Sequence, residues 1–163
     1  MFLSKSKFLE VVRNAPLISI DLCILKDREI LLGKRTNPPA KNFFFVPGGR
    51  IYKSESMKNA LDRILMDELA IYIKNKKQIF IKELGIYEHF YDDNFLNNKE
   101  FATHYIVIAY LIPYEILCKT RKNIISSQHS EFIWTSIDNV KLNSYKIHKY
   151  TLEYFKDILL QKI

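Results

Sequence analysis

The sequence predicts an α+β fold, a mixed β-sheet packed between helices as an α/β/α sandwich. Three observations predict it. Helical spacing of apolar residues recurs near both ends and once in the middle of the chain. Between these stretches lie short apolar runs with strand character, bounded by turn residues. With 163 residues and 48% hydrophobic content, the chain can fill one core, so a single domain spanning 1–163 is expected.

The elements follow in order. Ser4 to Arg13 has helical spacing, with Phe8, Val11 and Val12 apolar. Ser4 or Ser6 can cap it, and Pro16 ends it. Leu17 to Leu25 is a strand-like run interrupted by Ser19 and Asp21, Lys26 to Glu29 a turn, and Ile30 to Lys34 a second strand completing a hairpin. Arg35 ends that strand, and Asn37-Pro38-Pro39-Ala40 is a loop. Phe43 to Val46 is a buried strand that enters a glycine turn. Gly48 and Gly49 are expected there because glycine takes backbone angles closed to other residues. Ser54 is the expected N-cap of a helix running to about Leu69. From Gln78 to Tyr91 the chain is strand-like, with Gly85 at a bulge, and the aromatic and acidic run His89 to Phe95 follows as a loop. Phe101 to Pro113 is a strand and Glu115 to Asn123 a short helix and loop. The polar run Ser126 to Glu131 precedes the strand Phe132 to Trp134, and Thr135 or Ser136 opens a turn. Asn143 or Ser144 opens a terminal helix carrying Tyr150, Leu152, Tyr154, Phe155, Ile158 and Leu159.

The net charge of +7 raises a nucleic-acid reading. The lysines are scattered, however, and the densest groups (Lys74, Lys76 and Lys77; Lys119, Arg121 and Lys122) read as solvated turns or helix ends. A small phosphate-bearing substrate would use the same positive field. No apolar run has the length of a membrane span or the character of a signal peptide. Cys23 and Cys118 read as reduced core thiols, which fits a cytoplasmic protein.

The stretch Pro47 to Ile71 carries the chemistry. At 100° per residue Met57, Ala60, Leu61, Ile64 and Leu65 share one helix face, and Glu68 falls in the middle of it. A carboxylate there must be paired, metal-bound or neutralised. A lone Glu of this kind is ordinarily paired with Arg or Lys. The glycine turn one helix length upstream adds a second choice. A turn carbonyl and a helix carboxylate form a hard-oxygen site of the kind Mg²⁺ or Mn²⁺ takes.

The same stretch resembles the Nudix box: Gly, five residues, Glu, seven residues, then Arg-Glu-apolar-any-Glu-Glu-any-Gly-apolar. Gly49, Glu55, Arg63, Leu65, Glu68 and Ile71 match in register. Ile64 and Asp67 stand where the box has Glu, and Ala70 where it has Gly. Together with Leu31-Leu32-Gly33-Lys34-Arg35, the run His89 to Phe95, Thr103-His104-Tyr105 and Gln128-His129, the chain is similar to one branch, the GDP-mannose mannosyl hydrolases. The resemblance implies the Nudix fold, a homodimer, a nucleotide-sugar substrate, and no nucleic-acid or membrane partner.

Carried over position by position, it implies one Mg²⁺ or Mn²⁺ ion per site, held by the Gly48 carbonyl, Glu68 and Gln128. It implies His129 as general base, with Arg35, Arg50 and Tyr105 stabilising charge on the leaving diphosphate. Phe2, Leu3 and Phe8 would contact the base, Asp21 and His89 would lie near the sugar, and Arg35 would bind the substrate as well. Each has an ordinary reading too. The Phe residues can be core, His129 and Arg35 exposed, and Asp21 an outward strand residue. Arg63 is expected to balance charge in the helix, with Glu55 as its partner.

Overall fold

The computed structural model describes residues 3–72, 81–96, 100–118, 129–138 and 146–161. Helix α1 (Lys5–Asn14) is capped by the Ser4 side chain, which accepts from the Lys7 N–H. Strands β1 (Leu17–Lys26) and β2 (Glu29–Arg35) form the expected hairpin. β3 (Phe44–Phe45) and β4 (Gly48–Arg50) lead into α2 (Met57–Leu69). Then follow β5 (Lys82–Tyr91), β6 (Thr103–Pro113), the short α3 (Glu115–Cys118), β7 (His129–Ser136) and α4 (Lys149–Leu160).

The sheet runs β3-β2-β1-β6-β5, with β4 paired to β1 and β7 to β2. The β1–β6 pair is parallel and the other strand pairs antiparallel, so the sheet is mixed as predicted. A register shift at Glu83/Gly85 realises the expected bulge.

Alternation along β1 explains the two layers. Ile20, Leu22 and Ile24 face α2 and pack with Ala60, Ile64, Leu65 and Leu69. Cys23 faces the other way, into a cluster with Phe44, Phe45, Tyr154, Phe155 and Ile158 beneath α4. The sheet is thus covered on both faces. Tyr150 and Tyr154 bring polar tips into this apolar layer, and Tyr150 uses its tip on the edge strand. Its hydroxyl accepts from the Phe90 N–H (2.6 Å) and donates to the Phe90 carbonyl (2.7 Å).

Several local expectations need correction. Gly48 and Gly49 form no left-handed turn: no glycine among the described residues has positive φ, and both lie in β4. They are small because neighbours crowd them. A Cβ on Gly48 would strike Asp21 Oδ1 and lie 2.7 Å from the Ile20 carbonyl, and one on Gly49 would lie 3.1 Å from Ile64. The N-cap of α2 is Ser56, whose side chain accepts from the Asn59 N–H (3.2 Å). Ser54 has φ 65°, which a capping residue cannot use. Met57 is 44% exposed, so the buried stripe begins at Ala60. His89 to Tyr91 end β5 rather than open a loop, and His129 to Glu131 already belong to β7. His148 caps α4; Asn143 and Ser144 lie outside the described residues, as do the lysine groups noted above.

Ala70 ends α2 in the left-handed conformation, φ 53° and ψ 31°, and its N–H caps the Leu65 and Met66 carbonyls. An L-residue there costs about 1–2 kcal/mol, against about 0.4–1 kcal/mol of extra unfolded-state freedom for glycine. Ala70→Gly should therefore stabilise the fold by about 0.5–1 kcal/mol, raising Tm by about 2 °C. A thermal melt showing a lower Tm would mean that the Ala70 methyl contributes packing worth more than the strain.

Candidate active site

A cavity of about 680 Å³ opens where β1 and β4 meet the N-terminal end of the chain, a size that suits a small ligand. α1 supplies Lys5 and Phe8, β1 Ser19 and Asp21, and β2 Arg35. β4 supplies Gly48, Gly49 and Arg50, and α2 Arg63, Ile64, Asp67 and Glu68. His89, Tyr91 and Tyr105 close the far wall.

Asp21 resolves in favour of the inward reading. It is 7% exposed and directed at the α4 side, because strand alternation opposes it to Ile20 and Leu22. The Tyr154 hydroxyl donates to its Oδ2 at 2.7 Å, and that hydroxyl oxygen lies 3.2 Å from His89 Nε2. Burial pushes the Asp21 carboxyl up to about 7, against the lowering effects of the Tyr154 hydrogen bond and the Arg35 charge. Burial and the nearby Asp21 charge hold Tyr154 protonated, so it remains a donor. His89 is stacked face to face on Tyr150, with centroids 4.0 Å apart and planes 6° apart. Burial first, and the His148 and Lys149 charges second, hold His89 down at about 3.

That depression has a stability consequence. The unfolded chain protonates its histidine near 6.5 and the folded chain does not until about 3. The contribution is therefore complete above pH 6.5 and is lost as pH falls toward 3. His148, held at about 4 chiefly by burial, acts in the same direction, whereas Asp21 acts oppositely between about 7 and 3.8. Comparing His89→Gln with wild type isolates the His89 effect. The stability difference should move in favour of the variant, by up to about 1.4 kcal/mol per pH unit, as pH falls from 6.5 to 4. Parallel urea midpoints across that range would refute it.

Glu68 meets an imidazole inside the fold. It is 4% exposed, and its Oε2 lies 3.4 Å from His129 Nδ1. The partner is a histidine from β7 rather than the Arg or Lys of the ordinary reading. The imidazole fits a slot: a Cβ on Gly33 would lie 2.5 Å from its Cδ2, and Phe132 covers it at 5.3 Å between centroids. His129 sits behind Glu68 and is itself absent from the cavity wall. Arg63 takes the structural part expected of it. It donates to Glu55 Oε1 (2.8 Å) and Oε2 (2.9 Å), to the Arg50 carbonyl (2.8 Å) and to Asp67 (3.4 Å). The Arg63 hydrogen bond holds the Glu55 carboxyl below the usual range.

Arg35 is fixed by donating from Nε to the Pro39 carbonyl at 2.9 Å, and it lies on the cavity wall with Arg50 and Tyr105. Both guanidinium charges oppose the effect of burial on the Tyr105 hydroxyl, which stays raised. Phe8 is in the wall with Arg50 at 3.8 Å over its ring and Phe95 at 4.8 Å. Leu3 is 52% exposed and outside the wall. Phe2 and Gln128 lie outside the described residues. The structure therefore gathers Phe8, Asp21, Arg35, Gly48, Arg50, Glu68, His89 and Tyr105 at one cavity. It adds Lys5 and Tyr52 to the wall and Tyr154 behind Asp21, roles that sequence reasoning missed. Tyr154 carried only the signal of an apolar helix position, which says nothing of where a hydroxyl points.

The NUDIX domain model matches residues 16–155. This chain belongs to the Nudix domain family. It is 34% identical over 121 residues to the low-salt glycan biosynthesis protein Agl8 of Haloferax volcanii, covering 74% of this chain and 71% of that protein. Over 72 residues it is 36% identical to an ADP-ribose pyrophosphatase of Methanocaldococcus jannaschii, covering 44% and 40% of the two chains. A MutT Nudix hydrolase from Burkholderia pseudomallei superposes with a TM-score of 0.65 at 19% identity, covering 89% of this chain and 99% of that one, and shares the fold.

Within the Nudix box of this chain, three positions that differ from the family pattern have structural consequences. Ile64 packs on Gly49 with its apolar side chain in the wall. Asp67 stays half exposed against Arg63. Ala70 keeps the backbone shape for which the pattern has glycine. The donors fit a divalent cation: Glu68 and the peptide of Gly48 are hard oxygens at one wall, with no Cβ between Gly48 and its neighbours. Among the described residues no group of three or more His, Cys, Asp or Glu could hold an ion by itself, so a ligand or water must supply further donors. No helix among the described residues is long and apolar enough to cross a membrane.

Proposed function

We propose that this Nudix chain hydrolyses GDP-mannose, or GDP-glucose, to GDP and the free sugar by cleaving the C–O bond at the anomeric carbon with inversion. The observation that carries the reading is the single buried carboxylate on the helix wall. Glu68 stands at the cavity, while its neighbour one turn back, Ile64, is apolar and pressed on Gly49. A P–O–P cleaving site built on several clustered carboxylates is poorly served by that wall. The kinship with a glycan biosynthesis protein supports a sugar-bearing substrate.

One Mg²⁺ or Mn²⁺ ion held by Glu68, the Gly48 carbonyl and Gln128 would neutralise the diphosphate as it leaves. Arg35, Arg50 and Tyr105 donate to the same oxygens, so no strong protein acid is required. Asp21 and His89, tied through Tyr154, face the sugar. His129 is the proposed base. Its Nδ1 faces the Glu68 carboxylate, which leaves Nε2 as the nitrogen that receives the proton of water. The water oxygen attacks C1, and the C1–O electron pair leaves on the β-phosphate. Phe8 lines the same cavity and would contact the base of the nucleoside. The same reading implies a cytoplasmic homodimer without nucleic-acid or membrane partners.

Hydrolysis in ¹⁸O-water tests the bond that breaks. Label in free sugar is expected; label in a phosphate product would replace this reading by a Nudix pyrophosphohydrolase. That second reading is favoured by Asp67 in the wall beside Glu68 and by the match to an ADP-ribose pyrophosphatase. Absence of turnover with any nucleotide sugar and divalent metal, together with salt-sensitive RNA binding, would instead support a non-catalytic module.

A further inference from the structure

The rim of the cavity on the side of α1 and α2 holds an aromatic ring that the reaction above does not use. Tyr52 lies two residues beyond Arg50, is 36% exposed and lines the cavity. It is held in place from behind. The Arg63 guanidinium lies 3.9 Å from its ring centroid, and its N–H donates to Glu55 Oε2 at 3.0 Å. Glu55 is in turn gripped by Arg63 through two hydrogen bonds. A ring fixed in this way gives up little conformational freedom when something stacks on it. Lys5 joins the same rim from the first turn of α1, one turn before Phe8 on the same helix face.

We propose that Tyr52 is the platform on which the nucleobase of a nucleoside diphosphate stacks, with Lys5 biasing the rim toward keto bases. An aromatic ring backed by a guanidinium offers a flat surface to any base and no hydrogen-bond pattern of its own. Discrimination must come from a polar neighbour. An ammonium only donates, so it pairs with the O6 and N7 acceptors of guanine and is repelled by the N6 amino group of adenine. Neither residue is among those assigned to the bond-breaking step, so they govern binding of the nucleoside. The proposal rests on the nucleotide-sugar reading above.

Calorimetric titration of the Mg²⁺-loaded protein with GDP, ADP and inorganic pyrophosphate separates the two. Tyr52→Ala should weaken GDP about tenfold and leave pyrophosphate within about twofold, since a stacked base is the ligand contact removed. Tyr52→Phe should bind GDP like wild type. Tyr52→Leu keeps bulk over Arg63 and should behave like Tyr52→Ala, which guards against a collapse of the Arg63–Glu55 corner. Lys5→Met should narrow the preference for GDP over ADP. Equal losses for GDP and pyrophosphate, or unchanged GDP affinity in Tyr52→Ala and Tyr52→Leu, would overturn the platform. Wild-type protein that binds pyrophosphate but not GDP would overturn the nucleotide-sugar reading itself.

Discussion

Replacing Glu68 by Gln is expected to weaken Mn²⁺ binding by about a hundredfold and to abolish most turnover at ordinary metal concentrations. The size follows from the donor count. Residues that merely orient metal ligands already cost about 10–100-fold in affinity when changed, and Glu68 is the buried carboxylate that α2 brings to the wall, whereas Asp21 beside Gly48 is engaged by the Tyr154 hydroxyl. Gln keeps the shape and one oxygen donor, so loss of affinity would report the missing charge. The fold should tolerate the change. A negative charge near the C-terminal end of α2 is disfavoured by the helix dipole, and removing it also removes a desolvation cost. The metal-free variant is therefore expected to melt no lower than wild type. Titration of Mn²⁺ by electron paramagnetic resonance reads the first claim and a thermal melt the second. An unaltered titration would mean that Glu68 serves its histidine partner and no ion.

The sheet and its helices were legible because apolar periodicity was strong. β1, β2, β6 and α2 begin and end within a few residues of the sequence reading. The site was legible where a residue type was out of place in an apolar pattern, as Asp21 and Glu68 were. It was not legible where the deciding fact was a contact across the fold. Gly48 and Gly49 advertise a turn to any local reading, yet their role is to let β4 approach Asp21 and Ile64. The hydroxyl that joins Asp21 to His89 comes from Tyr154, 133 residues from Asp21 in sequence, on a helix where Tyr reads as simple core. Similarly, the imidazole behind Glu68 needs Gly33 on a neighbouring strand to leave it room, and no spacing rule links positions 33, 68 and 129. Caps were misplaced by a few residues because Ser54 and Ser56 both suit an N-cap, and only backbone angles separate them.

His129→Gln is the change that most sharply separates two roles for the slot behind Glu68. As the base, His129 accounts for about 10²–10⁴ in rate, and that factor should vanish in the variant. A glutamine amide can still donate toward Glu68 Oε2, where His129 Nδ1 now sits at 3.4 Å. The carboxylate would keep its orientation, and metal affinity should stay within a few-fold of wild type. If His129 served only to orient Glu68, affinity and turnover would fall together, and raising the metal concentration would restore the rate. Gly33→Ala supplies an independent check. Its new Cβ would press on the imidazole at 2.5 Å and displace it without altering its chemistry. Turnover should fall in that variant too, and a pH–rate profile whose acid limb shifts from that of wild type would tie the loss to the imidazole. Full activity in both variants would remove His129 from the reaction and leave the water to be activated by another group on the cavity wall.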